Sequence, residues 1–283
     1  MDEVIFSQKK HLGVIGLNRP KAFNALSLEM VLALHEQLML WQKDPSIHAV
    51  VITSTQDKVF CAGGDVRWLY QQGKNQNPQL LDFFWHEYRL NHFIHHFGKP
   101  YIALMDGITM GGGVGISMHG SHLVAGERFS FAMPETGIGF FPDIGASHLL
   151  TACPGFLGLY LALSGNRLKA DEALAAGLVK YRIPSASMGD LVEQIAQEDL
   201  SCQAHLRLDA LLKSHTQKSS FDISPSIDHY FCHNSVELIF EHLKNSDDIW
   251  ALELLQNLEK KSPLSLKVSF AQYHKAQGLS LEQ

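Results

Sequence analysis

Short apolar runs alternate with amphipathic stretches through the first half of the chain, and helical spacing takes over in the second. Val4 to Gln8 and His11 to Leu17 flank Lys9-Lys10 and predict a strand pair. Beyond Asn18-Arg19-Pro20, Ser27 stands as a helix N-cap. Met30, Leu34, Leu38 and Trp41 then recur at helical spacing until Asp44-Pro45. Ala49 to Thr53 reads as a buried strand, and a polar loop leads to FCAGGDVR at Phe60 to Arg67. Pro78 suits a first helical turn, with helix expected to Phe97. Pro100 to Met105 is a second buried strand running into GITMGGGVGISMHG, and Leu123 to Gly126 and Phe129 to Ala132 are short strands. Helices are expected near residues 144–150, 156–164, 170–176 and 188–200, and over most of the chain beyond. The pattern predicts an α/β layer followed by a helical appendage, with no internal sequence repeat.

Composition sharpens this division. Of 22 glycines in 283 residues, only one follows Gly189, so the front is rich in turns and the back is nearly glycine-free helix. Apolar residues make up 46% and charged residues 18%, below the roughly 25% of typical chains. That balance argues against disorder and is compatible with surface buried between copies in a homo-oligomer. A net charge of −6 excludes a global basic footprint for nucleic acid. No run reaches the ~18 apolar residues of a membrane helix. MDEVIFSQKK lacks the features of a signal peptide, and Cys61, Cys153, Cys202 and Cys232 form no C-x-x-C pair. A reducing compartment is expected: the cytoplasm, or the mitochondrial matrix in a eukaryote.

Several familiar chemistries fail on spacing. Gly111-Gly112-Gly113-Val114-Gly115 follows a strand and opens a helix, but Met118 breaks G-x-G-x-x-G and no G-K-[ST] follows. Close packing explains some of these glycines. Three in a row at a helix start, where backbone N–H groups lack partners, favour an oxyanion-type site. Gly63-Gly64 would supply the second donor. Glu135 and Asp143 each follow a proline in FAMPETGIGFFPD. Spacing leaves two readings open for them, carboxylates of an apolar pocket or helix caps. Among 16 histidines, His86-Glu87 lacks the second histidine of H-E-x-x-H, where Leu90 stands. His92 and His96 share a helix face without a neighbouring acid in sequence, so no metal site is expected. No G-x-S-x-G elbow occurs.

FCAGGDVR, KPYIALMDGITMGGGVGISMHG and FAMPETGIGFFPDIGASHLL, in that order, resemble the enoyl-CoA hydratase/isomerase (crotonase) superfamily, and its 3-hydroxyisobutyryl-CoA hydrolase branch in particular. The likeness runs from about Val4 to SPLSLKVSF near Ser262, and NRPKAFNAL at Asn18 to Leu26 matches the segment bordering coenzyme A. The resemblance implies an α/β spiral of repeated ββα units of the ClpP/crotonase type. It implies an acyl-CoA-binding catalytic core over residues 1–200 and a C-terminal helical region over 201–283, where family members continue through further helices.

It also implies roles. The amides of Gly64 and Gly112 would hold the thioester oxygen, and Glu135 would be the catalytic glutamate. Asp143 would be the acid that marks the hydrolase branch, and Glu87 in HEYRLN a glutamate near the substrate. Arg19, Lys21 and Arg67 lie in motifs where cations would offset the charge of coenzyme A. Hydratases of the superfamily carry a second glutamate where this chain has Gly115, which points away from hydration. No separate cofactor is implied, because coenzyme A belongs to the substrate. The expected activity is cleavage of a short branched hydroxyacyl-CoA in valine catabolism. A hydratase or isomerase of the same superfamily, and an acyl-CoA-binding protein without turnover, are the alternatives.

Overall fold

In the computed structural model, which describes residues 2–218 and 221–283, the chain opens on an antiparallel pair, β1 (Val4–Lys9) and β2 (Leu12–Leu17). Helix α1 (Leu28–Lys43) follows, and the Ser27 hydroxyl accepts from the Met30 amide at 3.2 Å, the expected cap. Three ββα units then repeat. The first contains β3 (Ala49–Ser54), β4 (Val59–Cys61), α2 (Val66–Lys74) and α3 (Gln79–His95). The second contains β5 (Tyr101–Met105), β6 (Ile108–Met110) and α4 (Gly112–Met118). The third contains β7 (His122–Ala125), β8 (Ser130–Ala132), α5 (Ala146–Thr151) and α6 (Leu157–Ser164). Next come β9 (Leu168–Lys169), α7 (Ala170–Ala175), β10 (Tyr181–Arg182) and α8 (Met188–Gln197). The remaining helices are α9 (Ala204–His215), α10 (Pro225–Phe231), α11 (Val236–Lys244), α12 (Ile249–Leu258) and α13 (Pro263–Ala276).

Each repeated unit hands its first strand to one sheet and its second to another. The large sheet runs β1-β2-β3-β5-β7-β10 and the small one β4-β6-β8-β9. Except for the pairs β1·β2 and β8·β9, neighbours are parallel. Helices cover the buried parallel strands, which explains runs such as AVVIT and YIALM that lack alternation. One apolar cluster extends from Val4 through the β-units to Phe231, Ile239 and Tyr273, so the late helices pack into the same core as the early strands.

The strand pair, α1 and most helices fall where their patterns predict. Helix α2 is the exception. It follows Asp65, whose carboxylate accepts from the Trp68 amide at 3.0 Å, and it lays Trp68 and Leu69 half-buried against the core, but its nine residues directly after a glycine turn span too few helical turns for spacing alone to mark it.

Candidate active site

Three successive strands of the small sheet deliver their following residues to one place. Cys61 of β4 pairs with Thr109 of β6, and Met110 of β6 with Ala132 of β8. Three residues beyond Cys61 is Gly64, three beyond Thr109 is Gly112, and three beyond Ala132 is Glu135. Open α/β sheets gather their ligand sites just past the carboxyl ends of parallel strands in this way.

The two glycine turns face each other. Gly63 and Gly111 have φ of +108° and +47°, conformations that suit glycine and turn the chain sharply after each strand. The NRPKAFNAL segment clamps the first turn, with the Leu26 amide donating to Gly63 at 2.8 Å and the Asp65 amide donating to Leu26 at 3.0 Å. A methyl group on Gly112 would lie 3.2 Å from the Gly64 nitrogen and collide with Oε1 of Glu87. Among the described residues, neither the Gly64 nor the Gly112 amide donates to a backbone carbonyl. Two free donors therefore sit side by side next to a carboxyl group.

Three carboxyls converge there. Glu87, on α3, is 2% exposed, and its Oε1 has no partner. Glu135 opens a 3-10 turn after Pro134 and is 6% exposed, and its Oε2 has no partner. A methyl group on Gly111 would lie 3.0 Å from its Oε1. Asp143 follows Pro142 and accepts from the Tyr88 hydroxyl at 2.7 Å. Neither Glu135 nor Asp143 caps a helix: no side chain caps the 3-10 turn, and Gly145 stands at the N-cap of α5. The capping reading of the two acids is thereby set aside.

Burial first, and the charge of Asp143 next, push the Glu135 carboxyl up to about 8. Burial also raises Asp143, against the lowering hydrogen bond from Tyr88. Glu87 is raised well above the carboxylate range by burial, then by Asp143 and Glu135. Neighbouring buried carboxyls cannot all ionise, so Glu87 is held as a neutral acid while Glu135 is poised to lose its proton near neutral pH.

The space beside Gly115 is taken. A methyl group there would lie 2.7 Å from Nδ2 and 3.0 Å from Oδ1 of Asn91, which stands one turn after Glu87 on α3. Asn91 is 3% exposed, and both polar atoms of its carboxamide lack partners. Its spacing of four residues from Glu87 was the available sequence signal. Tyr88 and His119 also belong to the site through contacts distant in sequence. The His119 Nε2 lies 2.6 Å from the carbonyl oxygen of Ile144, the residue after Asp143.

The three candidate cations differ. Arg19 is committed elsewhere, with Nε 2.8 Å from Glu3, a second nitrogen 2.9 Å from Asp65 and a third donating to Ala25. It braces the segment that clamps Gly63 and is not available to a phosphate. Lys21 and Arg67 are exposed and make no ion pair among the described residues. The histidines meet an acid that is distant in sequence. His92, His96 and Glu282 bring ligand atoms within 4.8 Å of one another, though all three are exposed.

Residues 12–283 match the profile of the enoyl-CoA hydratase/isomerase family. The chain belongs to that family. The superfamily and fold that the motifs resemble are thus borne out. A Xenopus tropicalis protein named 3-hydroxyisobutyryl-CoA hydrolase, mitochondrial, is 41% identical over 290 residues, covering 99% of this chain and 75% of that protein. The Homo sapiens protein of the same name is 38% identical over 291 residues, covering 100% and 75%. Among solved structures, a carnitinyl-CoA dehydratase from Mycobacterium thermoresistibile superposes with TM-score 0.91 at 34% identity, covering 100% of this chain and 82% of that one. An enoyl-CoA hydratase from Rhodobacter sphaeroides gives TM-score 0.86 at 32% identity, covering 99% and 81%. Among the described residues, no helix is long and apolar enough to cross a membrane.

Proposed function

We propose that this chain hydrolyses 3-hydroxyisobutyryl-CoA to 3-hydroxyisobutyrate and coenzyme A, as the names of its 38–42% identical relatives state for those proteins. The observation that carries this reading is the pairing of the Gly64 and Gly112 amides with the Glu135 carboxyl, while Asn91 fills the space beside Gly115. Hydration across a double bond uses carboxylates on both sides of a water, and Asn91 stands where the second would go. Thioester cleavage needs one carboxylate and a stabilised oxyanion.

In this mechanism the two amides donate to the thioester oxygen as it gains charge at the tetrahedral stage. Losing one such donor typically costs about 10²–10³ in rate. Ionised Glu135 either attacks the carbonyl carbon or takes a proton from the attacking water. In both courses the C–S bond breaks and the thiolate leaves as the thiol. One water is consumed overall, giving the carboxylic acid and coenzyme A. Neutral Glu87 beside Gly112 places a proton donor near the developing oxyanion without adding repulsion. Asp143, held by Tyr88, faces the cavity it shares with Asn91 and orients the substrate there. The solvent-facing Lys21 and Arg67 offset the phosphates of coenzyme A. Reduced thiols fit a reducing compartment, the cytoplasm or the mitochondrial matrix, since the four cysteines are free and two of them are buried.

The test is release of free thiol from 3-hydroxyisobutyryl-CoA by the wild type and by Glu135→Gln, with enoyl absorbance followed in parallel on crotonyl-CoA. Thiol release that the substitution abolishes is the expected result. Absorbance change without thiol release would identify a hydratase, and full release by the variant would remove Glu135 from the mechanism.

A further inference from the structure

Asn91 is an unusual residue to bury. Its carboxamide offers two donors and an acceptor, yet none of these finds a protein partner in a site where it is 3% exposed. Leaving such groups unpaired is costly, and a packed interior normally avoids it. Purely steric filling beside Gly115 would be served by leucine, which has nearly the same shape and no polar atoms. A polar side chain retained here calls for a polar partner brought in from outside.

Its position identifies that partner. Along α4, Glu135 lies beside Gly111 and Asn91 beside Gly115. Four residues separate these points, roughly 6 Å at 1.5 Å per residue, with the Gly112 amide between them. A water held at Glu135 is therefore on the far side of the oxyanion position from Asn91. What extends past the carbonyl on the Asn91 side is the acyl chain. Asn91 also borders a cavity of about 320 Å³ shared with Tyr88, His119, Asp143 and Ile144. A hydroxyl group is both donor and acceptor, which matches a carboxamide that needs one of each. Asp143 already has one oxygen engaged by Tyr88.

We propose that the Asn91 carboxamide binds the hydroxyl of the acyl chain and sets a preference for hydroxylated over unsubstituted acyl thioesters. This rests on the thioesterase reading and adds to it a determinant of specificity. An acyl group without the hydroxyl would leave the buried carboxamide unpaired, so discrimination arises from the cost of the wrong substrate as well as from the gain with the right one.

The experiment compares kcat/KM for 3-hydroxyisobutyryl-CoA and isobutyryl-CoA in the wild type, Asn91→Leu and Asn91→Ser. We expect the wild type to favour the hydroxylated substrate by roughly 10- to 100-fold. Asn91→Leu should collapse that ratio to about threefold or less, and Asn91→Ser, which keeps a donor and an acceptor, should restore part of it. A ratio preserved in Asn91→Leu, or equal losses on both substrates, overturns the inference and leaves the thioesterase reading standing. If the wild type cleaves neither thioester, the thioesterase reading fails instead. Binding of the two corresponding non-hydrolysable thioethers then decides this inference, and a Kd ratio unmoved by Asn91→Leu overturns it. Should Asn91→Leu not fold, the same ratio in Asn91→Ser and Asn91→Ala carries the comparison.

Discussion

The Nε2 of His119, at the end of α4, lies 2.6 Å from the carbonyl oxygen of Ile144, and so ties the glycine-rich helix to the residue that follows Asp143. Ile144 has φ of +49°, a conformation β-branched residues rarely adopt, and His119 is a tie that holds it there. A carbonyl can only accept, so the proton sits on Nε2. Burial, then nearby His95 and His148, lower the ring to about 4 despite the raising effect of the bond to Ile144, so it is neutral at working pH. His119→Phe should lower kcat about tenfold by letting Asp143 drift, and cost about 1–2 kcal/mol of stability. His119→Gln, which keeps a donor at similar reach, should recover most of both. Steady-state kinetics and thermal melts read the two effects, and a His119→Phe enzyme with unaltered kcat would show that Asp143 needs no such tie.

Glu135 sets a conflict between stability and activity. Its folded-state carboxyl sits near 8 against an ordinary 4.5, so the folded protein binds the proton more tightly than the unfolded chain. Below pH 4.5 both states are protonated and no cost arises. Between 4.5 and 8 the folded state loses stability as pH rises, by up to a few kcal/mol. Glu135→Gln should therefore melt about 2–6 °C higher than the wild type at pH 8 and nearly level with it at pH 4.5, while being inactive. A variant no more stable at pH 8 than the wild type would contradict the buried carboxylate.

The same proton governs rate. Because ionised Glu135 acts, kcat/KM should rise with pH towards a plateau above about 8. Asp143 is the charge that lifts Glu135, so Asp143→Asn should move the midpoint of its residual activity to lower pH. A flat profile from pH 6 to 9 would exclude Glu135 as the titrating group.

Gly115 and Asn91 compete for one volume. Alanine in a helix usually gains up to about 1 kcal/mol over glycine. Here Gly115→Ala should instead cost about 1–3 kcal/mol, since its methyl meets the Asn91 carboxamide. In an Asn91→Ala background the same change should be neutral or stabilising. Denaturant unfolding of the four proteins gives the coupling, and additive effects would mean the two side chains do not meet.

Lys21 and Arg67 should act on binding alone. Lys21→Glu and Arg67→Glu are expected to raise KM several-fold with kcat held, an effect that fades as salt rises past the Debye range. A KM insensitive to both charge reversals would place the coenzyme elsewhere.

The residues that come together here were unequally legible beforehand. Gly64, Gly112, Glu135 and Asp143 stand in contiguous motifs whose glycines and prolines break the regular pattern, and sequence alone marks them. Asn91, Tyr88 and His119 reach the site through partners 24, 55 and 25 residues away, distances over which periodicity carries no information. Arg19 shows the opposite failure. It lies in a suggestive motif, yet Glu3 and Asp65 absorb it, and neither is recognisable as its partner until the chain is folded. Residue pattern alone does not reveal the ββα repetition, which only the family resemblance implies, because its units share geometry and little sequence.

The small sheet acts as a ruler for chemistry. Because Gly64, Gly112 and Glu135 each follow one of three neighbouring parallel strands within two or three residues of its last paired position, their separations owe much to interstrand spacing of about 4.8 Å. A one-residue insertion in the stretch from Val59 to Cys61 would leave most of the core intact and move one donor by a full step. Such lesions would yield a folded, silent enzyme, a class of defect that stability screens miss.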